Sequence, residues 1–165
     1  RLFLFALISE IPFNLAFRGK AFDASYQNVF VTLLLGLLMI WIMEAVRERF
    51  RTRFREKGLG GDGADWKILV VDGAVFFLTA AAAELLRCDY GAHGIIAVGL
   101  LYAFRRDRVK QTIAGCVAFF WEFTAMFAFV FTGCYNGKRG ISLKYVFYIF
   151  YPAHLLALYL IARCV

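Results

Sequence analysis

His154 is the residue whose setting most suggests chemistry. It lies near the middle of an apolar stretch, residues 145–162, two positions after Pro152. Proline has no N–H, so in a helix the carbonyl of Tyr148 loses its partner and is free to bind another group. At helical spacing Phe147, Tyr151, His154 and Leu158 share one face, with Tyr148 and Tyr159 beside it. An imidazole among phenols and a freed carbonyl could take a proton from an attacking amine or hydroxyl. A neutral histidine hydrogen-bonded between packed helices is the alternative.

Other ionisable residues also fall inside apolar stretches, where they are costly and by default mark a site or a buried pair. Glu122 sits in the middle of residues 113–131 among Phe119, Phe120, Trp121 and Phe123. It could pair with His154 or with a cation on another helix. Asp72 and Glu84 share residues 68–86 but stand about 120° apart around a helix, so they form no acid pair. Glu10 precedes Pro12 in a broken apolar segment and could face a cavity. His93 follows Asp89-Tyr90-Gly91, where Gly91, Gly94 and Gly99 permit close packing of a neighbouring helix. Asn136-Gly137-Lys138-Arg139-Gly140 places two cations between glycines and could hold a phosphate or carboxylate. The run Arg105, Arg106, Arg108 and Lys110 could meet lipid phosphates or an anionic cofactor.

Several chemistries lack their residues. No nucleophile elbow, Walker A loop, zinc-protease motif or dinucleotide fingerprint occurs. Cys88, Cys116, Cys134 and Cys164 make no C-x-x-C pair, so no metal site is expected.

The elements that must position these groups are membrane helices. Hydrophobic residues make up 62% of the 165, including 19 Phe, 8 Tyr and 3 Trp, against the ~45–50% usual in globular chains. Mean hydropathy is +0.67. About 20 apolar residues cross a hydrocarbon core, which residues 29–46, 68–86, 113–131 and 145–162 approach. Residues 2–17 and 91–104 are shorter, which gives an all-α, polytopic bundle of about six membrane elements forming one domain.

The net charge of +7 is a matter of topology. With the basic, glycine-containing loop 47–66 placed in the cytoplasm and the spans alternating, 13 of the 19 basic residues lie inside. The remaining six, Arg18, Lys20, Arg87, Lys138, Arg139 and Lys144, lie outside. This skew indicates attraction to the lipid bilayer, and no nucleic-acid partner is expected.

In order along the chain, these features resemble the TraX family. The stretches that carry the resemblance are residues 1–14 with Glu10, Pro12 and Asn14, residues 28–36 opening on Asn28, and Asp89-Tyr90-Gly91. The most specific is Tyr135 to Gly140, followed by residues 144–156 with Tyr151, Pro152 and His154. The resemblance implies a membrane acyltransferase of the bacterial inner membrane, taking acetyl-CoA at the cytoplasmic face and acetylating an N-terminal amine of pilin or another acceptor. It implies His154 as candidate catalytic base or acceptor-orienting group, and Glu10, Asn14, Asp89, Tyr90, Asn136, Lys138, Arg139 and Tyr151 as substrate-binding. Arg105, Arg106 and Arg108 would then meet the phosphates of CoA. Family members carry an earlier membrane region with an Asp-His pair, so the chain is expected to be the C-terminal part of a longer protein. Two other readings stand beside the enzyme: a non-enzymatic assembly or chaperone protein for pilin-like subunits, and a small proton-coupled transporter using Glu122, Glu84 and Asp72.

Overall fold

A computed structural model describes the chain apart from residues 24, 57–61, 139, 142 and 165, and apart from the side chains of 55–56, 62–65 and 144. Its described residues form α1 (Leu2–Arg18), α2 (Val29–Glu56), α3 (Asp62–Leu85), α4 (Gly91–Ala103), α5 (Arg108–Ala118), α6 (Phe123–Gly133) and α7 (Lys144–Cys164). Helix ends are set locally. Asn28 caps α2 by accepting from the Phe30 N–H at 3.0 Å, and Asp107 caps α5 by accepting from Val109 and Lys110. Glu84 accepts from the Ala92 N–H at 2.7 Å and so closes the start of α4. Gly19, at φ 66°, ends α1.

Three helical stretches, Val29–Phe54, Trp66–Leu85 and Tyr145–Cys164, are long and apolar enough to cross a membrane. The chain is therefore a membrane protein built from three such helices and shorter apolar ones. Helices α2, α3 and α4 pack on one another around Met39, Met43, Ala83, Cys88 and Ile95. Large apolar side chains elsewhere face outward, Phe77, Leu78 and Leu85 on α3 among them, as expected where hydrocarbon is the solvent.

Two sequence expectations are corrected. Residues 113–131 are not one span but the short helices α5 and α6 joined by a turn at 119–122. At 11 residues each, about 16 Å, neither crosses a hydrocarbon core of about 30 Å. The two are packed as a hairpin. Gly115 permits this, since a Cβ there would lie 2.2 Å from Cδ1 of Phe129. Hydropathy runs straight through the turn because Phe119, Phe120 and Trp121 are as apolar as any helix interior. Glu122 decides otherwise, since it leaves hydrocarbon to accept from a tyrosine hydroxyl.

The second correction follows from the first. The hairpin returns the chain to its starting level, where Nη1 of Arg108 donates to the carbonyl of Tyr135 at 2.5 Å. Asn136 and Lys138 therefore lie on the same side as Arg105–Arg108, not across the membrane from them. In addition, the basic stretch read as loop from residue 47 is helical as far as Glu56.

Polar groups gather at two levels. A basic end holds Glu44, Arg47, Asp72, Tyr102 and Arg105. Arg47 donates to Asp72 Oδ2 at 2.8 and 2.5 Å, Arg105 pairs with Glu44 at 2.8 Å, and Tyr102 donates to Glu44. An acidic end holds Glu10, Asn28, Glu84, Asp89, Tyr90 and Glu122. From Asn28 to Glu44 along α2, and from Tyr90 to Tyr102 along α4, the helical rise separates these levels by about 18–24 Å.

Candidate functional site

The acidic end contains an open cleft of about 460 Å³ lined by Asp89, Tyr90, His93, Trp121 and Glu122. Two elements build it. The turn between α3 and α4 is fixed because Gln27 and Cys88 form a single β-bridge, with the Asp89 N–H donating to the Gln27 carbonyl at 2.9 Å. The chain turns sharply there, with Arg87 at φ 51° and Gly91 at φ 46°. The α5–α6 turn supplies Trp121 and Glu122.

These turns meet through specific contacts. The Tyr90 hydroxyl donates to Glu122 Oε1 at 3.0 Å. The His93 ring meets the Trp121 ring edge-on at 5.0 Å, and Phe119 meets Tyr90 in the same manner at 6.4 Å. The loss of water around Asp89, followed by repulsion from Glu122, raises its carboxyl above the usual range. Tyr90 is pushed up to about 12 by burial and by its bond to Glu122, so it stays a hydrogen-bond donor. Among the described residues no cation pairs with Asp89 or Glu122, although the chain carries 19 arginines and lysines. Two carboxylates and three aromatic rings in one cleft suit a cationic amine. No three histidine, cysteine or acidic side chains among the described residues stand close enough to hold a metal ion.

The residues singled out from sequence divide among three places. Asp89 and Tyr90 line the cleft. Tyr151 adjoins it, packing on Phe30 at 5.0 Å and lying within electrostatic reach of Asp89 and Tyr90. Glu10 and Asn14 are engaged in holding helices together. Asn14 donates to Glu10 Oε1 at 3.3 Å, while Asn28 donates to Glu10 Oε2 at 2.6 Å and to the Ala6 carbonyl at 2.8 Å. These side chains therefore clamp α1 to the start of α2 beside the cleft.

His154 lies on α7 with its contacts on its own helix. Nδ1 is 3.0 Å from the Phe150 carbonyl, and the ring stacks on Phe150 at 5.0 Å. It neither lines the cleft nor touches Glu122. Asn136 and Lys138 form a closed turn, the Lys138 N–H donating to Asn136 Oδ1 at 2.9 Å. Arg139 lies outside the described residues. At the basic end, Glu44, Arg47, Arg51, Arg105 and Arg106 line a second cavity of about 200 Å³. Arg105 is shared there with Glu44 and stacks on the Tyr102 ring at 3.8 Å. Arg106 keeps its charge available to an anion, whereas Arg108 is turned to Tyr135.

Sequence reasoning did not bring Glu122, His93 and Trp121 to Asp89. The available signal was Glu122 itself, a carboxylate with no local partner in an otherwise apolar run.

The chain matches, over residues 1–162, the family model described as TraX protein. No curated protein and no solved structure matches it.

Proposed function

The chain belongs to the TraX family, and from that premise we propose that it is an integral membrane acyltransferase that acetylates an amine, an N-terminal amine of a pilin-like subunit in particular, using acetyl-CoA. The observation that carries this reading is the acidic, aromatic-walled cleft at Asp89, Tyr90, His93, Trp121 and Glu122, whose carboxylates have no cationic partner among the described residues. An ammonium would fill that need. For transfer, the ammonium gives up a proton, its nitrogen bonds to the thioester carbonyl carbon, and the carbon–sulfur bond breaks, leaving the CoA thiol. Asp89, held above the usual carboxylate range, is suited to receive the ammonium's first proton, while Glu122, fixed by Tyr90, accepts a hydrogen bond from the neutral amine that results; the second N–H proton passes to the departing thiolate as the amide forms. The arginine-lined cavity at the opposite end has the chemistry to hold CoA phosphates, with Arg106 and Arg51 as the better-placed cations. In this reading the donor's phosphates would lie on the cytoplasmic side by the positive-inside rule, with the acceptor amine at the far level.

The test is transfer of label from radiolabelled acetyl-CoA by the full-length protein in membranes. Asp89→Asn and Glu122→Gln are each expected to lower transfer by about 10²–10⁴-fold. His154→Ala is informative in the same assay, because unchanged transfer would remove His154 from the mechanism. Absence of transfer by the intact protein would overturn the enzyme reading.

A second reading has its own support. Among the described residues α6 packs chiefly on α5, and α7 on α1 with Tyr148 and Tyr151 also meeting Phe30 of α2. Phe127, Phe131, Phe147 and Phe150 are consequently left exposed, on a scale that suits capture of another membrane helix. Co-purification of a pilin-like subunit without acyl transfer would favour a purely assembly role.

A further inference from the structure

Below the acidic cleft lies a separate apolar slot of about 230 Å³ between α2, α4 and the α5–α6 turn. Leu33, Ala97, Val98, Leu101 and Phe119 line it, and Tyr90 forms part of the wall of both cavities. Phe119 touches Tyr90 on one side and lies 6.0 Å from the Trp121 ring on the other, so the aromatic wall is continuous between them. Gly94 keeps the slot and cleft in register. A Cβ at that position would stand 2.5 Å from the Thr32 methyl and 2.8 Å from Cβ of Tyr90, displacing the shared wall.

We infer that the two cavities form one bipartite site for an amphiphilic amine, with the ammonium between Asp89 and Glu122 and the adjoining alkyl segment in the slot beneath Tyr90. Charge complementarity selects the head, because the cleft offers carboxylates and no paired cation. The mostly apolar lining selects the segment, because beyond the Thr32 and Tyr90 hydroxyls a polar chain in the slot would leave its groups without partners. The slot therefore acts as a specificity pocket that distinguishes amines carrying an apolar neighbour from small polar ones. This inference rests on reading the cleft as the amine site, but it concerns binding and is tested without acyl transfer.

The experiment follows fluorescence of Trp121 in the full-length protein after every other tryptophan is replaced by phenylalanine, including Trp41 and Trp66, two exposed positions away from both cavities. Ethylamine, butylamine and hexylamine are titrated, with hexanol and hexanoate as matched controls. Each methylene that enters the slot is expected to tighten binding by about four-fold, from roughly 0.8 kcal/mol per buried CH₂. Leu33→Phe, at a residue 42% exposed in the slot lining, should flatten that series, and Ala97→Leu should do the same from within. Glu122→Gln should weaken all three amines by a similar factor and leave the chain-length dependence intact. Hexanol binding as tightly as hexylamine would overturn the proposal. So would a chain-length series unchanged in both slot variants, which is the behaviour of simple partition into lipid. Amine binding of the expected pattern in a protein that transfers no acetyl group would refute the enzyme while leaving this site standing.

Discussion

Gly115→Ala probes the hairpin on which the cleft depends. The added Cβ would lie 2.2, 2.4 and 2.6 Å from Cδ1, Cε1 and Cγ of Phe129. Ordinary carbon contacts are about 3.5–4.0 Å, so the overlap exceeds 1 Å against the body of a ring. The ring cannot swing clear cheaply, since it stacks on Phe119 at 5.4 Å. Overpacking of this kind costs about 1–3 kcal/mol, or about 5- to 150-fold in the folding equilibrium. Thermal unfolding in detergent measures it, with Trp121 fluorescence reporting whether the turn has shifted. Gly73→Ala is the internal control. That glycine lies in α3 with nothing within 4 Å of an added Cβ, so alanine should leave stability unchanged or raise it by about 0.5–1 kcal/mol through helix propensity. Phe129→Leu in the Gly115→Ala background should restore much of the loss. If Gly115→Ala proves as harmless as Gly73→Ala, or if Phe129→Leu gives no rescue, the tight α5–α6 hairpin is refuted.

Cysteine variants at Arg106 and Lys138 should react with an impermeant maleimide from one side of the membrane, and a cysteine at Asp23 from the other. Labelling of Lys138→Cys together with Asp23→Cys would restore a continuous 113–131 span. Arg47→Met strands the Asp72 carboxylate, 12% exposed, and should destabilise by the lower part of about 3–5 kcal/mol, since the arginine is itself 25% exposed. Arg47→Met with Asp72→Leu should return toward the parent in the same unfolding assay. Asp89 gives a pH signature. Its pKa is raised in the folded state, so the folded protein holds this proton more tightly and loses stability as pH rises from about 3.8 through the folded value. Asp89→Asn should therefore gain on the parent over that window, measured as melting temperature against pH. A constant difference across it would deny the shift.

Much of this architecture is local and legible in a linear reading. The apolar runs that become α2, α3 and α7 are long enough for chain length and composition alone to make them helices across a bilayer. The short apolar segments at residues 2–17 and 91–104 likewise emerge as α1 and α4. Asp89 and Tyr90, picked out through family resemblance, do line the cleft. What a hydropathy sum loses is direction. A run containing Phe119, Phe120 and Trp121 scores the same whether the chain continues or turns, and only the partner waiting for Glu122, the hydroxyl of Tyr90 thirty-two residues earlier, fixes the turn. The same limitation put Lys138 on the wrong side, because one missed reversal changes the parity of everything after it.

Side-chain employment is likewise a tertiary matter. Glu10 and Asn14 look like ligands in a linear reading, yet Asn28 from another element takes up the second Glu10 oxygen and makes them a clamp. His154 has the most suggestive local setting, but α7 packs through Phe5, Phe30, Tyr148 and Tyr151, and the imidazole remains with Phe150 on its own helix. Sequence alone determined that this chain forms apolar helices with a strongly basic end, because hydrophobic length and charge are properties of a segment by itself. The tertiary structure decided which carboxylates meet which rings, because a buried polar group takes its place from partners that lie far away along the chain.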